Sequence, residues 1–316
     1  MDHALVLAGG LGERLWPLSR KQTKTKESVN IASYTMLELT VKRLQSWVPK
    51  ERIWIISSRD IPTYGCHLIK EPLRKNTAAA VAWGAETVYS LDKDAFIGVF
   101  PVDHLISPWE KVTEAISLVK EKGALTALGI KSDTPSKQYG YIKPYPENTV
   151  VSPVECFIEK PDNPDKLLQK GFLINSGIYL GPARKFLAEI GRYLPYHLAA
   201  VRQRDRQLFA KLRPVSLDKG VMEHTDRLYC VPLQVTWEDI GSWSKYLKHA
   251  GEKGQFVKYN SDNSLVYAEE GLVVLSGVKD VVVVVKDGIV LVTSSEEEKN
   301  MSLVLEEVRK KYPGQA

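Results

Sequence analysis

The sequence predicts an α/β protein built on a Rossmann-like mixed, mostly parallel sheet flanked by helices, followed by a small β-rich, β-helix-like domain at the C-terminal end. Three observations carry that expectation. Apolar runs rich in branched residues alternate with helical patterns through the first half. A glycine-rich turn closes the first of those runs. Beyond about residue 250, short strands follow one another with Gly, Asp and Asn between them and no helix.

Ala4 to Ala8 and Arg52 to Ser57 read as strands, and Met36 to Trp47 reads as the helix between them, with Leu37, Val41 and Leu44 on one stripe. Thr77 to Leu91 repeats Ala78, Val81, Ala82, Ala85 and Val88 at helical spacing. Ala95 to Val102 has the continuous apolar run of a strand buried on both faces. Trp109 to Lys122 is a further amphipathic helix and leads to a strand at Ala124 to Ile130. From about residue 138 to 245 shorter strands mix with helices, among them Val151 to Ile158 and Ile178 to Leu180. The last part reads as strands at Ser264 to Tyr267, Gly271 to Val274, Val278 to Lys286 and Gly288 to Val292. A terminal helix from Glu296 to Tyr312 then turns Leu303, Leu305 and Val308 back onto them. The boundary is expected near residue 250, giving domains 1–250 and 251–316.

With 316 residues, 44% of them hydrophobic, the chain can bury a large core. Its net charge of +5 is spread among acids, apart from a Lys-rich stretch at residues 21–26, which argues against a nucleic-acid partner. Cys66, Cys156 and Cys230 lie far apart without paired spacing, so neither a zinc site nor a disulfide framework is indicated. Buried free thiols in a reducing compartment are expected. No apolar run reaches membrane-spanning length and the N-terminus enters a strand directly, so no membrane partner and a cytoplasmic location are expected.

The glycine turn reads Leu7-Ala8-Gly9-Gly10-Leu11-Gly12-Glu13-Arg14-Leu15-Trp16-Pro17-Leu18. Bare backbone lets several N–H groups approach anionic oxygens, and Arg14 adds a positive donor fork. A Walker loop is excluded because no Gly-Lys-Ser/Thr follows. A dinucleotide fingerprint is excluded by Leu15 at the third glycine and by Ser57-Ser58-Arg59 where an acid should end the second strand. A second apolar strand ends in Phe100-Pro101-Val102-Asp103-His104 and delivers a carboxylate to the same sheet edge, where ligands of such sheets bind. A phosphate cradle beside a carboxylate points to metal-assisted chemistry on a nucleoside triphosphate.

Across almost its whole length the chain then resembles the sugar-1-phosphate nucleotidyltransferases, which share a GT-A-like catalytic fold, and within them the mannose-1-phosphate guanylyltransferase (GDP-mannose pyrophosphorylase) group. The matching segments, in family order, are 7–19, Glu71-Pro72 with Lys75-Asn76-Thr77-Ala78, Pro101-Val102-Asp103-His104 and Tyr139-Gly140-Tyr141-Ile142. Phe157-Ile158-Glu159-Lys160-Pro161-Asp162, Asn175-Ser176-Gly177-Ile178, Asp218 with Val221-Met222-Glu223, and 237–243 complete the set.

The resemblance implies that GTP and mannose 1-phosphate give GDP-mannose and pyrophosphate, with the sugar phosphate attacking the α-phosphorus in line. It implies Mg²⁺ held by Asp103 and Asp239, and a triphosphate cradle of Leu7, Ala8, Gly9, Gly10, Gly12 and Arg14. It implies a guanine-side wall at Glu71, Asn76 and Thr77. The sugar phosphate falls to Tyr139, Gly140, Glu159, Lys160, Asn175 and Asp218, with Lys160 on the phosphate. By family analogy and composition the β-rich part is expected to support a homodimer.

The chain departs from the family where a Pro-Lys-Gln-Phe segment is usual: it carries Gln22-Thr23-Lys24-Thr25-Lys26-Glu27-Ser28, leaving Lys24 or Lys26 for the phosphates, with Lys26 the position aligned from the downstream helix. Lys137-Gln138 stands before Tyr139 in place of Thr-Gly, Asp218-Lys219-Gly220 replaces Asp-Tyr-Ala, and Ala79-Ala80 stands where Pro often follows Ala78. Two alternatives therefore stay open: a different sugar 1-phosphate or nucleotide, and a nucleotide-sugar-binding regulatory subunit without turnover. The isomerase domain that some relatives append is not expected in the chain.

Overall fold

The computed structural model describes residues 1–10, 12–19, 29–31, 33–146 and 149–315. The strands, in order, are β1 (Asp2–Leu7), β2 (Asn30–Ile31), β3 (Tyr34–Thr35), β4 (Ile53–Ser57), β5 (His67–Lys70) and β6 (Phe96–Pro101). There follow β7 (His104–Ser107), β8 (Leu125–Ile130), β9 (Gly140–Pro144), β10 (Ser152–Glu159), β11 (Leu173–Pro182) and β12 (Leu228–Leu233). The last are β13 (Thr236–Asp239), β14 (Lys253–Tyr259), β15 (Leu265–Ser276), β16 (Val281–Lys286) and β17 (Ile289–Ser294). By its contacts the described chain forms two compact units, Met1–Gly9 with Thr40–Glu238, and Gly10–Leu39 with Asp239–Ala316.

In the first unit nine strands form one sheet in the order β5-β4-β1-β6-β11-β8-β12-β10-β9. β5, β4, β1 and β6 pair in parallel, and β12 pairs in parallel with β8. β11 runs antiparallel to both β6 and β8, and β10 antiparallel to β12 and β9. Among the described residues all the strands of this sheet except β11 and β10 therefore point one way, the mixed, mostly parallel arrangement expected.

Alternate strand residues serve different faces. Leu5, Ile97, Val99 and Tyr179 join one large apolar cluster, which also holds Val81, Ala85, Phe186 and Phe209 from helices Asn76–Leu91, Ala183–Tyr193 and Arg206–Lys211. Their neighbours Ala4, Val6, Phe100 and Leu180 are equally buried and point the other way. Helix Glu110–Lys122 buries Val112, Ala115, Ile116 and Val119 and packs on β11 and β12. Burying each valine, leucine, isoleucine or phenylalanine among them contributes about 1.5–3 kcal/mol relative to leaving it in water.

Helix Asn76–Leu91 lies so close to the sheet that a Cβ on Gly84 would meet Ile56 Cδ1 at 2.6 Å and Leu5 Cδ1 at 2.8 Å. Its alanines serve the same close approach.

In the second unit β14, β15 and β16 pair in parallel and β17 closes the sheet antiparallel to β16. Val266, Ala268, Leu275 and Val283 form its core. Ser264 to Tyr267 and Gly271 to Val274, expected as separate strands, belong to the single strand β15, bent at Gly271 with φ +73°. β14 was not expected from the sequence, because all its residues except Phe256 are exposed and its apolar residues, Phe256 on one face and Val257 and Tyr259 on the other, do not separate an inner from an outer face.

The terminal helix covers Met301–Lys311 after a 3₁₀ turn at Glu297–Asn300. It buries Met301 and Leu305; Leu303, expected to face inward, is 60% exposed. Residues two apart on a helix sit on nearly opposite sides, so Leu303 and Leu305 cannot share a buried stripe. The thiols divide as well: Cys230 is buried, whereas Cys66 and Cys156 are only half-buried rather than enclosed as expected.

Candidate active site

The first unit brings most of the expected residues to one edge of its sheet. β1 and β6 pair in register Leu7↔Pro101, so the two strands end level and Ala8-Gly9 and Val102-Asp103 leave from the same edge. Leu7 is half-buried and Ala8 fully buried, with the Ala8 N–H donating to the Ile56 carbonyl at 3.0 Å. Asp103 is held by its neighbours: Thr40 Oγ1 donates to the Val102 carbonyl at 3.1 Å, and Arg43 donates to the His104 carbonyl at 3.0 Å.

His104 Nδ1 accepts from Trp237 Nε1 at 3.4 Å, which leaves the imidazole proton on Nε2, 3.9 Å from Asp103 Oδ1. The Trp237 ring lies edge-on to His104 and to Tyr139, at centroid distances of 5.3 and 4.9 Å. His104 is thus placed to orient Asp103 through these contacts.

Glu71 follows β5 and donates its N–H to the Ser57 carbonyl at 2.9 Å. Its carboxyl group is 4% exposed, and Oε1 is buried without a hydrogen-bond partner among the described residues. A Cβ on Gly9 would lie 3.5 Å from Oε2. Burial pushes this carboxyl group up to about 7, against a smaller opposing pull from Arg74.

A second polar cluster forms where β11 departs from regular pairing with β8 between Asn175 and Tyr179. Gly177 takes φ +73° there, a conformation L side chains rarely adopt, and a Cβ on it would meet Pro101 Cγ at 3.4 Å and His104 Cε1 at 3.6 Å. The Gly177 N–H donates to Asn175 Oδ1 at 3.1 Å, and Ser176 Oγ donates to the Leu128 carbonyl at 2.7 Å. Asn175 Nδ2 and the buried Tyr179 hydroxyl both donate to Asp218 Oδ1, at 2.9 and 2.5 Å.

Thr77 Oγ1 accepts the Leu217 N–H at 2.8 Å and so anchors the residue before Asp218. Asn76, at φ +69°, caps the Thr77 N–H with Oδ1 at 2.8 Å. On the facing strands Glu159 pairs with Gly140, where a Cβ would come within 2.6 Å of Glu159 Oε2 and displace the carboxylate from this position. Burial first, then the Asp218 charge, raises Glu159 to about 7, while Lys160, 3.9 Å away and 57% exposed, pulls the other way.

The second unit holds the rest. Gly12, at φ +67°, precedes the 3₁₀ turn Glu13–Leu15, and Ser19 Oγ donates back to its carbonyl. The Arg14 guanidinium lies against Gly241, where a Cβ would come within 2.7 Å of it. Lys245 Nζ binds Asp239 Oδ1. Among the described residues nothing lies within 4 Å of a Cβ built on Gly10.

Residues 3–255 match the family model described as nucleotidyl transferase. The chain belongs to the nucleotidyl transferase family. Residues 254–308 match the model for the mannose-phosphate isomerase/GMP-like β-helix domain. Relatives include the mannose-1-phosphate guanylyltransferase ManC of Salmonella typhimurium and the mannose-1-phosphate guanylyltransferase of Escherichia coli. Each is 30% identical, over 97% of this chain and 73% of its own length. A crystal structure from Thermus thermophilus, described as a mannose-1-phosphate geranyltransferase, superposes with a TM-score of 0.86 at 30% identity, covering 98% of this chain and 99% of that one. The resemblance and the fold read from the sequence are both borne out.

As a nucleotidyl transferase the chain needs charge neutralisation and positioning more than covalent chemistry. Leu7, Ala8, Gly9, Glu71, Asn76, Thr77, Asp103, Tyr139, Gly140, Glu159, Lys160, Asn175 and Asp218 all lie in the first unit; Gly10, Gly12, Arg14 and Asp239 lie in the second. Lys24 and Lys26 fall outside the described residues. Sequence reasoning missed Tyr179, whose only signal is a hydroxyl in the apolar stretch after Gly177, and Lys245, which carries no motif. Among the described residues no group of three or more His, Cys, Asp or Glu is arranged to hold a metal. Mg²⁺ does not require one, since one or two carboxylates with substrate phosphates and water suffice. Lys245 on Asp239 shows that this carboxylate already accepts a cation.

Glu71 gives a test of the buried edge. Its folded value of about 7 lies above its ordinary 4.5, so the stability it contributes is full below about pH 4.5 and is lost as pH rises through 7. Glu71→Gln is expected to be more stable than the parent at pH 8 by on the order of 3 kcal/mol, with the gap closing toward pH 5 in urea unfolding. A pH-independent difference would contradict the assignment.

Proposed function

We propose that the chain transfers a guanylyl group from GTP to mannose 1-phosphate, giving GDP-mannose and pyrophosphate. The observation that carries this reading is the level ending of β1 and β6, with a glycine turn leaving one strand and Asp103 the other. The named relatives and the matched β-helix model support the mannose and guanine branch.

In this reading a phosphate oxygen of mannose 1-phosphate forms a bond to the α-phosphorus of GTP as the bond to the β-phosphate oxygen breaks, and pyrophosphate leaves with the electron pair. The sugar phosphate is already ionised near neutral pH, so no general base is required. Lys160 binds its phosphate as a compact ammonium. Asn175, Asp218 and Glu159 meet the sugar hydroxyls, with Tyr139 and Gly140 beside them. Arg14 and the amides of residues 9–12 meet the triphosphate. Glu71 offers buried acceptors to the N–H groups of guanine, with Asn76 and Thr77 beside it, and Lys24 or Lys26 adds charge at the phosphates. Asp103 and Asp239 are the residues that would hold Mg²⁺, which when bound supplies charge neutralisation at the phosphate oxygens.

We assign the catalytic domain to residues 1–250 and the β-rich domain to 251–316, supported by the changeover between the two family models at 254–255. A cytoplasmic location is supported by unpaired cysteines. Among the described residues no helix is long and apolar enough to cross a membrane. A second copy of the chain is the partner proposed for the β-rich sheet. Val257 and Tyr259 on β14, Leu272 and Val274 on β15, and Val290 and Val292 on β17 are each more than half exposed, an apolar face at alternate positions.

The decisive assay is pyrophosphate release with Mg²⁺ from GTP and mannose 1-phosphate, beside ATP, UTP, dTTP and glucose 1-phosphate. Selective turnover of the first pair supports the reading; tight GDP-mannose binding without turnover would favour a regulatory subunit. In an active enzyme Asp103→Asn should lower kcat by about a hundredfold or more. Lys160→Ala should raise the mannose 1-phosphate KM about tenfold with little change in that for GTP. For the assembly, light scattering on the full chain should give a dimer, and Leu272→Lys with Val274→Lys a folded monomer. A dimer unchanged by that pair would assign the contact elsewhere.

A further inference from the structure

We propose that the C-terminal helix is a positioning element of the glycine loop: Arg309 and the Gln315 carbonyl hold the Glu13–Trp16 turn, and through it the Arg14 guanidinium. The inference rests on the guanylyltransferase reading for Arg14 and extends it to residues some three hundred positions away. All of its contacts lie within the second unit.

The turn Glu13–Leu15 is short, entered through left-handed Gly12, and closed by two backbone bonds, Leu15 N to Gly12 O at 2.7 Å and Trp16 N to Glu13 O at 3.1 Å. A single 3₁₀ turn has too few bonds to fix a long side chain by itself. The fixing comes from elsewhere in the unit. Arg309 donates to Glu13 Oε1 at 2.7 Å, with both side chains about two-thirds buried. Trp16 Nε1 donates to the Gln315 carbonyl at 3.0 Å. On its other side the Trp16 carbonyl accepts from the fully buried Trp243 at 2.8 Å.

The circuit closes through the terminal segment. Glu298, 3% exposed, accepts from Ser244 N at 2.7 Å and Ser244 Oγ at 2.5 Å, fixing the first turn of the helix that carries Trp243. Met301 and Leu305 bury the helix that carries Arg309. Between these supports the Arg14 guanidinium rests on Gly241, whose N–H donates to the Asp239 carbonyl at 2.8 Å. The glycine at 241 leaves the guanidinium its place, and Glu13 and Trp16 on either side of Arg14 are both tied to the C-terminal segment. Arg309 therefore acts through Glu13 and touches no substrate.

The test is the GTP dissociation constant by calorimetry and the two KM values, for the parent, Arg309→Ala, and the exchange of Glu13→Arg with Arg309→Glu. Loss of a charge-assisted bond at this turn should weaken GTP about tenfold, leave the mannose 1-phosphate KM within about twofold, and be largely restored by the exchange. GTP binding unchanged in Arg309→Ala, or weakened equally with sugar-phosphate use and not restored by the exchange, overturns the inference. A parent chain that binds no GTP overturns the guanylyltransferase reading and this inference with it.

Discussion

The parallel pairing of β1 with β6 is the constraint on which the rest depends. Because Leu7 sits opposite Pro101, two buried strands stop at the same level and the polar residues after each emerge on one edge. Much of the first unit serves to keep that edge rigid. Thr40 and Arg43 tie the backbone on either side of Asp103, and Gly177 lets the chain turn through φ +73° beside Asn175. Packing provides the rigidity, and local hydrogen bonds convert it into fixed directions for a few polar groups.

The edge is costly to build. Glu71 and Glu159 are both carboxyl groups taken out of water, each raised to about 7, and Glu159 also feels the charge of Asp218. Such groups lower stability near neutral pH unless a partner supplies N–H, O–H or a positive charge. Desolvated acceptors of this kind suit a ligand that brings donors, and a sugar ring and a purine each do so. The Asn175–Tyr179–Asp218 cluster is the contrasting case, where the protein supplies two of the donors itself.

The sheet and its main helices were legible because their signals are periodic. The alanines and valines of helix Asn76–Leu91 and the unbroken run of β6 allow few readings. The ends Gly9 and Asp103 were legible because a glycine turn and a lone acid after a buried strand are each unusual in composition. β14 was not legible, because in a strand lying largely in solvent Phe256, Val257 and Tyr259 fall on both faces and do not mark an inner one. Leu303 misled because an apolar residue two positions from Leu305 suits a strand's face rather than a helix's. Tyr179 escaped because its role comes from Asp218, 39 residues further along the chain. Proximity of that kind is created by the fold and leaves no local pattern.

The most direct test of the account is a crystal structure with GDP-mannose and Mg²⁺. The account predicts the sugar ring among Asn175, Glu159 and Asp218, the guanine N–H groups on Glu71, and the diphosphate beyond the ends of β1 and β6. GDP-mannose bound away from that edge, with Glu71 and Asp218 untouched, would contradict it.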